Sequence, residues 1–187
     1  IGGTGVVTIG ALLATAAHME DKAASLLEIT GMAQKNGAVF AHLRIGDTAN
    51  ALHALRLGPG SANLLLGCDL VASAGEETLA ALTPGQSSAV VNRHETMTPN
   101  FLQSPDLVFP GEELVDALEN AAGPDHTRVL EATKIATALL GDSIATNLFL
   151  VGFAYQKGLI PLKAASIDAA IELNGVAVDF NKNAFMW

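Results

Sequence analysis

Cysteine is nearly missing from this 187-residue chain, which contains one, Cys68. A lone thiol closes no internal disulfide and supplies neither a cysteine-rich zinc site nor the ligands of an iron–sulfur cluster. A reducing, cytoplasmic compartment is the simplest expectation. Aromatic residues are scarce at 5%, so the core must be built from Ala, Leu, Val and Ile. Charge is scarce as well, at 16% of residues against about 25% in ordinary soluble domains. A surface so short of charge is expected where another domain or subunit covers part of it. Basic residues are the rarer sign, ten against nineteen acidic, for a formal charge of −9. Broad nucleic-acid binding needs a field of Lys and Arg to displace counterions, so it is not expected. A local anion site stays open, because backbone N–H groups bind phosphate without net positive charge. No apolar run reaches bilayer length, and the longest, Ile144 to Tyr155, contains Asn147. No membrane partner is expected.

Half of the residues are hydrophobic, enough for one α/β domain. Val6, Ile9, Leu12, Leu13 and Ala16 recur at helical spacing and predict a helix over Val6 to Glu20. Ala24 to Ile29 has strand length, and Ala38 to Ile45 alternates as a half-buried strand does. Further strands are expected at Asn63–Cys68, Ser88–Asn92 and Arg128–Glu131, with helices at Ala74–Leu82 and Gly111–Ala122. Arg93 to Pro110 reads as a long loop. From Thr133 the pattern turns helical, over Thr133–Leu140, Ser143–Lys157, Leu162–Leu173 and Val176–Phe185, with Gly141, Gly158 and Gly175 at the breaks. The expected fold is a layered α/β domain with a largely parallel, possibly mixed sheet. Its N-terminal half is Rossmann-like, and a helical tail covers about residues 133–187. The sequence opens on a glycine loop of the kind that follows a buried strand, and it closes on Phe185-Met186-Trp187. Both ends lead us to expect a piece of a longer polypeptide.

Two glycine-punctuated loops stand out. Gly2-Gly3-Thr4-Gly5 precedes a helix, where free N–H groups and a partial positive charge suit phosphate, and Thr4 adds a hydroxyl. A tight strand-to-helix turn explains the same glycines. Gly31 to Gly37 sets Gln34, Lys35 and Asn36 between glycines directly after a strand, a common ligand position in α/β sheets. A solvated polar loop is the alternative. His42 and Arg44 share one strand face, as an interface or ligand pair or as ordinary solvated residues. His18, His53, His94 and His126 have no metal-ligand spacing. Glu76-Glu77 and Glu112-Glu113 suit helix starts. Cys68 reads as a buried inert thiol rather than a nucleophile. Asp69 is too distant from the glycine loop to be a ribose-binding acid, whereas Glu28 lies nearer and leaves a dinucleotide reading open.

In order along the chain, Gly2-Gly3-Thr4-Gly5-Val6-Val7, Gly31-Met32-Ala33-Gln34-Lys35-Asn36-Gly37-Ala38-Val39 and Leu66-Gly67-Cys68-Asp69 resemble the gamma domain of 2-oxoacid:ferredoxin oxidoreductases. The later runs Gly141-Asp142-Ser143-Ile144-Ala145-Thr146-Asn147, Tyr155 to Leu162 and Ala170 to Gly175 look like the large fused bacterial indolepyruvate type. The resemblance spans essentially the whole chain. It implies an enzyme that oxidatively decarboxylates a 2-oxoacid substrate with thiamine diphosphate, passes electrons through 4Fe–4S clusters to ferredoxin and loads coenzyme A. It also implies a homodimeric parent whose thiamine and cluster sites lie in other domains or subunits. The role this leaves for the chain is the acceptor side and domain assembly, with no catalytic residue; because the two loops are rich in N–H donors and one carries Lys35 in an otherwise acidic domain, Gly3, Thr4, Gly5, Gln34, Lys35 and Asn36 are expected to form a docking edge for coenzyme A. A packing module of the same complex and an independent dinucleotide-binding oxidoreductase are the other readings.

Overall fold

The structure is a computed structural model and describes residues 1–2, 5–30, 38–94 and 109–187. Helix α1 (Val6–Met19) forms on the spacing read from the sequence, and Val6, Ile9, Leu12, Leu13 and Ala16 are all buried. Strands β1 (Ala23–Thr30) and β2 (Val39–Gly46) pair antiparallel, from Ala23 opposite Gly46 to Thr30 opposite Val39. Strands β3 (Leu64–Gly67), β4 (Ser88–Asn92) and β5 (Thr127–Leu130) form a parallel sheet in that order.

Two residues bring these sheets together. Ile1 donates to the Leu66 carbonyl and accepts from the Cys68 N–H, both at 2.7 Å. Gly2 exchanges both backbone bonds with Val39, at 3.1 and 2.7 Å. The expected layering with a mostly parallel sheet is therefore present, and its antiparallel part is the β1–β2 pair.

Along the parallel strands the side chains alternate between two apolar layers. Leu65, Ala89 and Val91 face helices α2 (Leu70–Ser73), α3 (Glu76–Ala80) and α4 (Gly111–Ala122), meeting Leu70, Val115 and Leu118. Val90 faces the other layer, with Leu64 and Leu66 packed against it. That layer holds α1 together with α5 (Ala132–Leu140), α6 (Thr146–Gln156), α7 (Ala164–Asn174) and α8 (Val178–Met186). The C-terminal helices are thus not an appendage, since they share one core with α1. Two bonds fasten the end of α1 to this region: Lys22 Nζ donates to the Pro161 carbonyl at 2.6 Å, and the Lys163 N–H donates to Glu20 Oε1 at 2.6 Å.

Two expected helices differ in detail. The helix expected over Ala74–Leu82 is the shorter α3, and α2, which was not expected, precedes it: Asp69 caps α2 by accepting from the Ala72 N–H at 2.8 Å, and Gly75 is extended between the two. The helix expected from Ser143 opens as a tight 3-10 turn, with Asp142 Oδ1 accepting from the Ile144 N–H, and becomes α-helical at Thr146.

Candidate functional site

Parallel strands send their carboxyl ends to one edge of a sheet, where backbone groups leave the ladder and loops begin. At that edge β3 runs into Cys68-Asp69 and β4 ends at Asn92. Gly2 lies beside Cys68, so close that a Cβ on Gly2 would stand 2.8 Å from the Cys68 Cβ. The start of α1 therefore belongs to the same edge.

Gly5 precedes α1 in the left-handed region, at φ 83°, a conformation glycine adopts without a Cβ clash. A Cβ there would also come within 2.7 Å of Asn147 Nδ2. No side chain caps α1, and its first turn carries no acidic residue. Helices α3 and α4 differ, with Glu76 and Glu77 in one first turn and Glu112 and Glu113 in the other. The positive end of α1 is left uncompensated by its own first turn, as are those of α5 and α6 beside it, which is the electrostatic condition for holding an anion.

Asn92 organises the floor. Its amide nitrogen donates to the Cys68 carbonyl at 3.2 Å and to Thr133 Oγ1 at 2.8 Å. Its oxygen accepts from the backbone N–H of Thr133 at 3.2 Å and of His94 at 3.3 Å. One fully buried side chain thus ties the ends of β3 and β4 to the first turn of α5. The Thr146 hydroxyl lies 3.4 Å from Thr133 Oγ1 and donates to the Ser143 carbonyl at 2.6 Å. Asn147, the next residue, stands beside Gly5, although more than 130 residues separate the two. Sequence reading gave Asn92, Thr133 and Thr146 no role. The one available signal was Asn92, a polar residue ending an apolar strand.

Of the residues expected to bind, Gly5 stands at the head of α1, whereas Gly3, Thr4, Gln34, Lys35 and Asn36 lie outside the described residues, as does 95–108 of the expected long loop. The flanks of the two loops do meet. Thr30 and Val39 bracket the second loop and pair with each other, and Val39 pairs with Gly2.

The other candidates settle into structural positions. His42 is buried rather than solvated: its Nδ1 accepts from the Leu57 N–H at 3.0 Å, and burial holds its pKa below the ordinary range. Arg44 donates to the Arg56 carbonyl at 3.3 Å. Cys68 is half-buried, and desolvation pushes its thiol up, which disfavours the nucleophilic thiolate. Glu28 is exposed on β1, and β2 stands between that strand and Gly2. The strand beside the glycine loop therefore brings no ribose-binding acid. Among the described residues no three His, Cys, Asp or Glu side chains gather to hold a metal ion, and no helix is long and apolar enough to cross a membrane.

Residues 1–186 match the family described as pyruvate ferredoxin/flavodoxin oxidoreductase. The indolepyruvate oxidoreductase subunit IorB of Methanothermobacter thermautotrophicus is 28% identical over 99% of this chain and 90% of its own. IorB of Pyrococcus horikoshii is 27% identical over 99% and 89%. Two solved structures share the fold. The gamma subunit of a keto/oxoacid ferredoxin oxidoreductase from Geobacter sulfurreducens has a TM-score of 0.63 at 18% identity, covering 98% of this chain and 89% of that one. The pyruvate oxidoreductase subunit PORC from Thermotoga maritima has a TM-score of 0.62 at 20% identity, covering 99% and 89%.

Proposed function

This chain belongs to the pyruvate ferredoxin/flavodoxin oxidoreductase family, and we propose that it is the gamma-type unit of an enzyme that oxidatively decarboxylates an indolepyruvate-type 2-oxoacid to its coenzyme A thioester. Similarity to the IorB subunits along nearly the whole chain supports the substrate class. Thiamine diphosphate supplies the carbon chemistry and 4Fe–4S clusters carry electrons to ferredoxin. Neither group fits the described residues, which offer one half-buried thiol and no cluster of ligating side chains. Both belong to partner domains or subunits in this reading.

The part left to this chain is the acyl acceptor. Gly3, Thr4 and Gly5 on one loop and Gln34, Lys35 and Asn36 on the other cradle a phosphate of coenzyme A. The observation that carries the reading is the uncompensated N-terminus of α1 at the sheet edge where the flanks of both loops meet. The test is Lys35→Ala in the assembled enzyme. A charge-assisted hydrogen bond contributes about 1.5–3 kcal/mol, so KM for coenzyme A should rise at least about tenfold with kcat little changed. An unchanged KM would overturn the reading.

A second reading makes the chain a packing unit. It is favoured by the large apolar residues exposed on the C-terminal helices and turns, including Ile144 at 71%, Met186 at 74% and Trp187 at 68%. Under that reading Lys35→Ala leaves coenzyme A kinetics alone and weakens assembly, which sedimentation of the complex would reveal.

A further inference from the structure

The outer edge of β1 lacks most of the devices that keep an exposed strand from pairing. Among the described residues β1 has a neighbouring strand on one side, β2, and its 8 residues pair with it without a bulge. It contains no proline and no lysine, and its one charge is Glu28. Natural edges are blunted by short length, Pro, Lys or a bulge. The β5 edge follows that rule, with 4 residues and the exposed Arg128. The β1 edge departs from it over twice the length.

Val39 gives both of its backbone bonds to Gly2, so it bonds away from β1. Alternation then makes Phe40, His42 and Arg44 bond to Ile29, Leu27 and Ser25. The N–H and C=O groups of Ala24, Leu26 and Glu28 are left facing the open edge. Above that edge lies one flank of α1. Ile9 and Leu13 are on the β3 side of this helix, lining one cavity with Leu64 and Leu66, and Gly10 rests on Leu26 and Ala41. At 3.6 residues per turn the flank turned the other way is Val7, Ala11, Ala14 and His18. It carries no acid, Lys or Arg, and Val7 is 40% exposed.

We propose that β1 pairs antiparallel with β1 of a second copy of this chain, about a two-fold axis at Ser25, so that the two sheets continue as one. Two observations fix the register. Ser25 Oγ is buried without a hydrogen-bond partner, and Lys22 and Glu28 stand at equal distances on either side of Ser25. With the axis at Ser25, Ala24 bonds to Leu26 of the second copy, and Lys22 stands opposite its Glu28. The two Ser25 residues form a non-hydrogen-bonded pair with Cα atoms about 4.5 Å apart, where one hydroxyl donates to the other. An axis at Leu26 would set Glu28 opposite Ala24 and leave the Ser25 hydroxyl facing Leu27. An axis at Glu28 would oppose two carboxylates, which is destabilising.

The helices agree with this pairing. Strands stand about 4.8 Å apart, and each α1 rests over both β1 and β2, half a spacing inside the seam. The two α1 helices therefore lie about 10 Å apart, within the ordinary range of packed helices, and the small Ala11 and Ala14 suit that approach. Lys22 Nζ keeps its bond to the Pro161 carbonyl, because an ammonium has further N–H groups to offer. The contact is isologous and closes at two copies. A strand from another subunit would satisfy the backbone groups but would not match the self-complementary set of Lys22, Ser25 and Glu28. The pairing stands whether or not the carboxyl edge of the sheet holds coenzyme A.

Cross-linking in the full polypeptide tests it. Ser25→Cys puts a thiol on the axis, within disulfide reach of its counterpart. Under copper-catalysed oxidation by oxygen it should join two copies at least about tenfold faster than Glu28→Cys, whose two thiols stand about 20 Å apart in this register. The chain with Cys68 alone is the blank. Adding Glu28→Lys to Ser25→Cys should slow the cross-link at least about threefold, because Lys22 then faces a like charge. Circular dichroism establishes that each variant is folded. In folded variants, no cross-link from Ser25→Cys, or equal rates from Ser25→Cys and Glu28→Cys, would overturn the proposal. An unchanged rate with Glu28→Lys would overturn the register. A Ser25→Cys product joined to a different subunit would overturn the pairing as well, since the edge would then belong to a partner's strand.

Discussion

Gly152→Ala sets two effects of known size against each other. Gly152 is buried in the middle of α6, where the chain of α8 passes directly over it. A Cβ at Gly152 would fall inside contact distance of the Phe185 carbonyl oxygen, 2.9 Å from its carbon and 3.3 Å from its Cα. The obstacle is backbone, so no rotamer change relieves it and α8 must shift as a body. That helix is held by Phe185 against Tyr155, ring centroids 5.5 Å apart, and by Lys182 bonded to Asp168 and Glu172 of α7. Helix propensity alone would favour Ala over Gly by about 1 kcal/mol. Overpacking a filled core costs about 1–3 kcal/mol, and an overlap with backbone belongs at the upper end. The net expectation is a loss of about 1–2 kcal/mol. For a chain of this size that lowers Tm by about 2–8 °C, read by calorimetry, with a matching fall in the urea midpoint at unchanged slope. A Tm unchanged or raised in Gly152→Ala would refute the argument, because propensity would then have won.

Two further perturbations address the buried polar groups. Asn92→Ala leaves the Thr133 N–H and the Cys68 carbonyl without their partner, and at about 1–3 kcal/mol per unsatisfied buried group the loss should reach about 2–4 kcal/mol in urea unfolding. A loss below about 1 kcal/mol would show that water replaces the amide without penalty. His42 has a folded pKa depressed by burial, and its Nδ1 accepts a bond only when the ring is neutral. Between that pKa and the unfolded value of about 6.5 the unfolded chain binds more protons, so stability is full above this window and falls as pH drops through it. His42→Gln should flatten the pH dependence of the urea midpoint in this range, and an unchanged slope would remove His42 as its source.

The elements most legible in the sequence were those whose signals are local. Ser88–Asn92 and Gly111–Ala122 were read to the residue, since turn residues bracket the strand and paired glutamates open the helix. Short-range competition moved other boundaries. Asp69 starts a short helix ahead of the expected one, and the extended Gly75 delays the expected one to Glu76. Pairing was not legible. Ala23–Thr30 and Val39–Gly46 each look like any α/β strand, and their antiparallel register depends on contacts that no local window contains. His42 shows the same limit, because an imidazole beside Arg44 reads as solvated until Leu57 folds over it. For the candidate site, the glycine before α1 was plain in the sequence. Asn147 beside it, and Asn92 on the Cys68 carbonyl, were not, since distant stretches of chain deliver them.

The anchoring of α1 to the last third of the chain also dictates when this protein can fold. The bond from Lys22 to Pro161 closes a loop of 139 residues, and the apolar face of α1 is covered by helices beyond it. At a synthesis rate of about 5–20 residues per second, roughly 10–30 s separate the emergence of the two partners from the ribosome. Throughout that interval α1 can rest on β1 and β2, but its side around Leu12, which meets Ala170 and Leu173 of α7, lacks its final partner. A truncated or stalled chain would expose this stripe indefinitely. The N-terminal third is therefore made first and completed last.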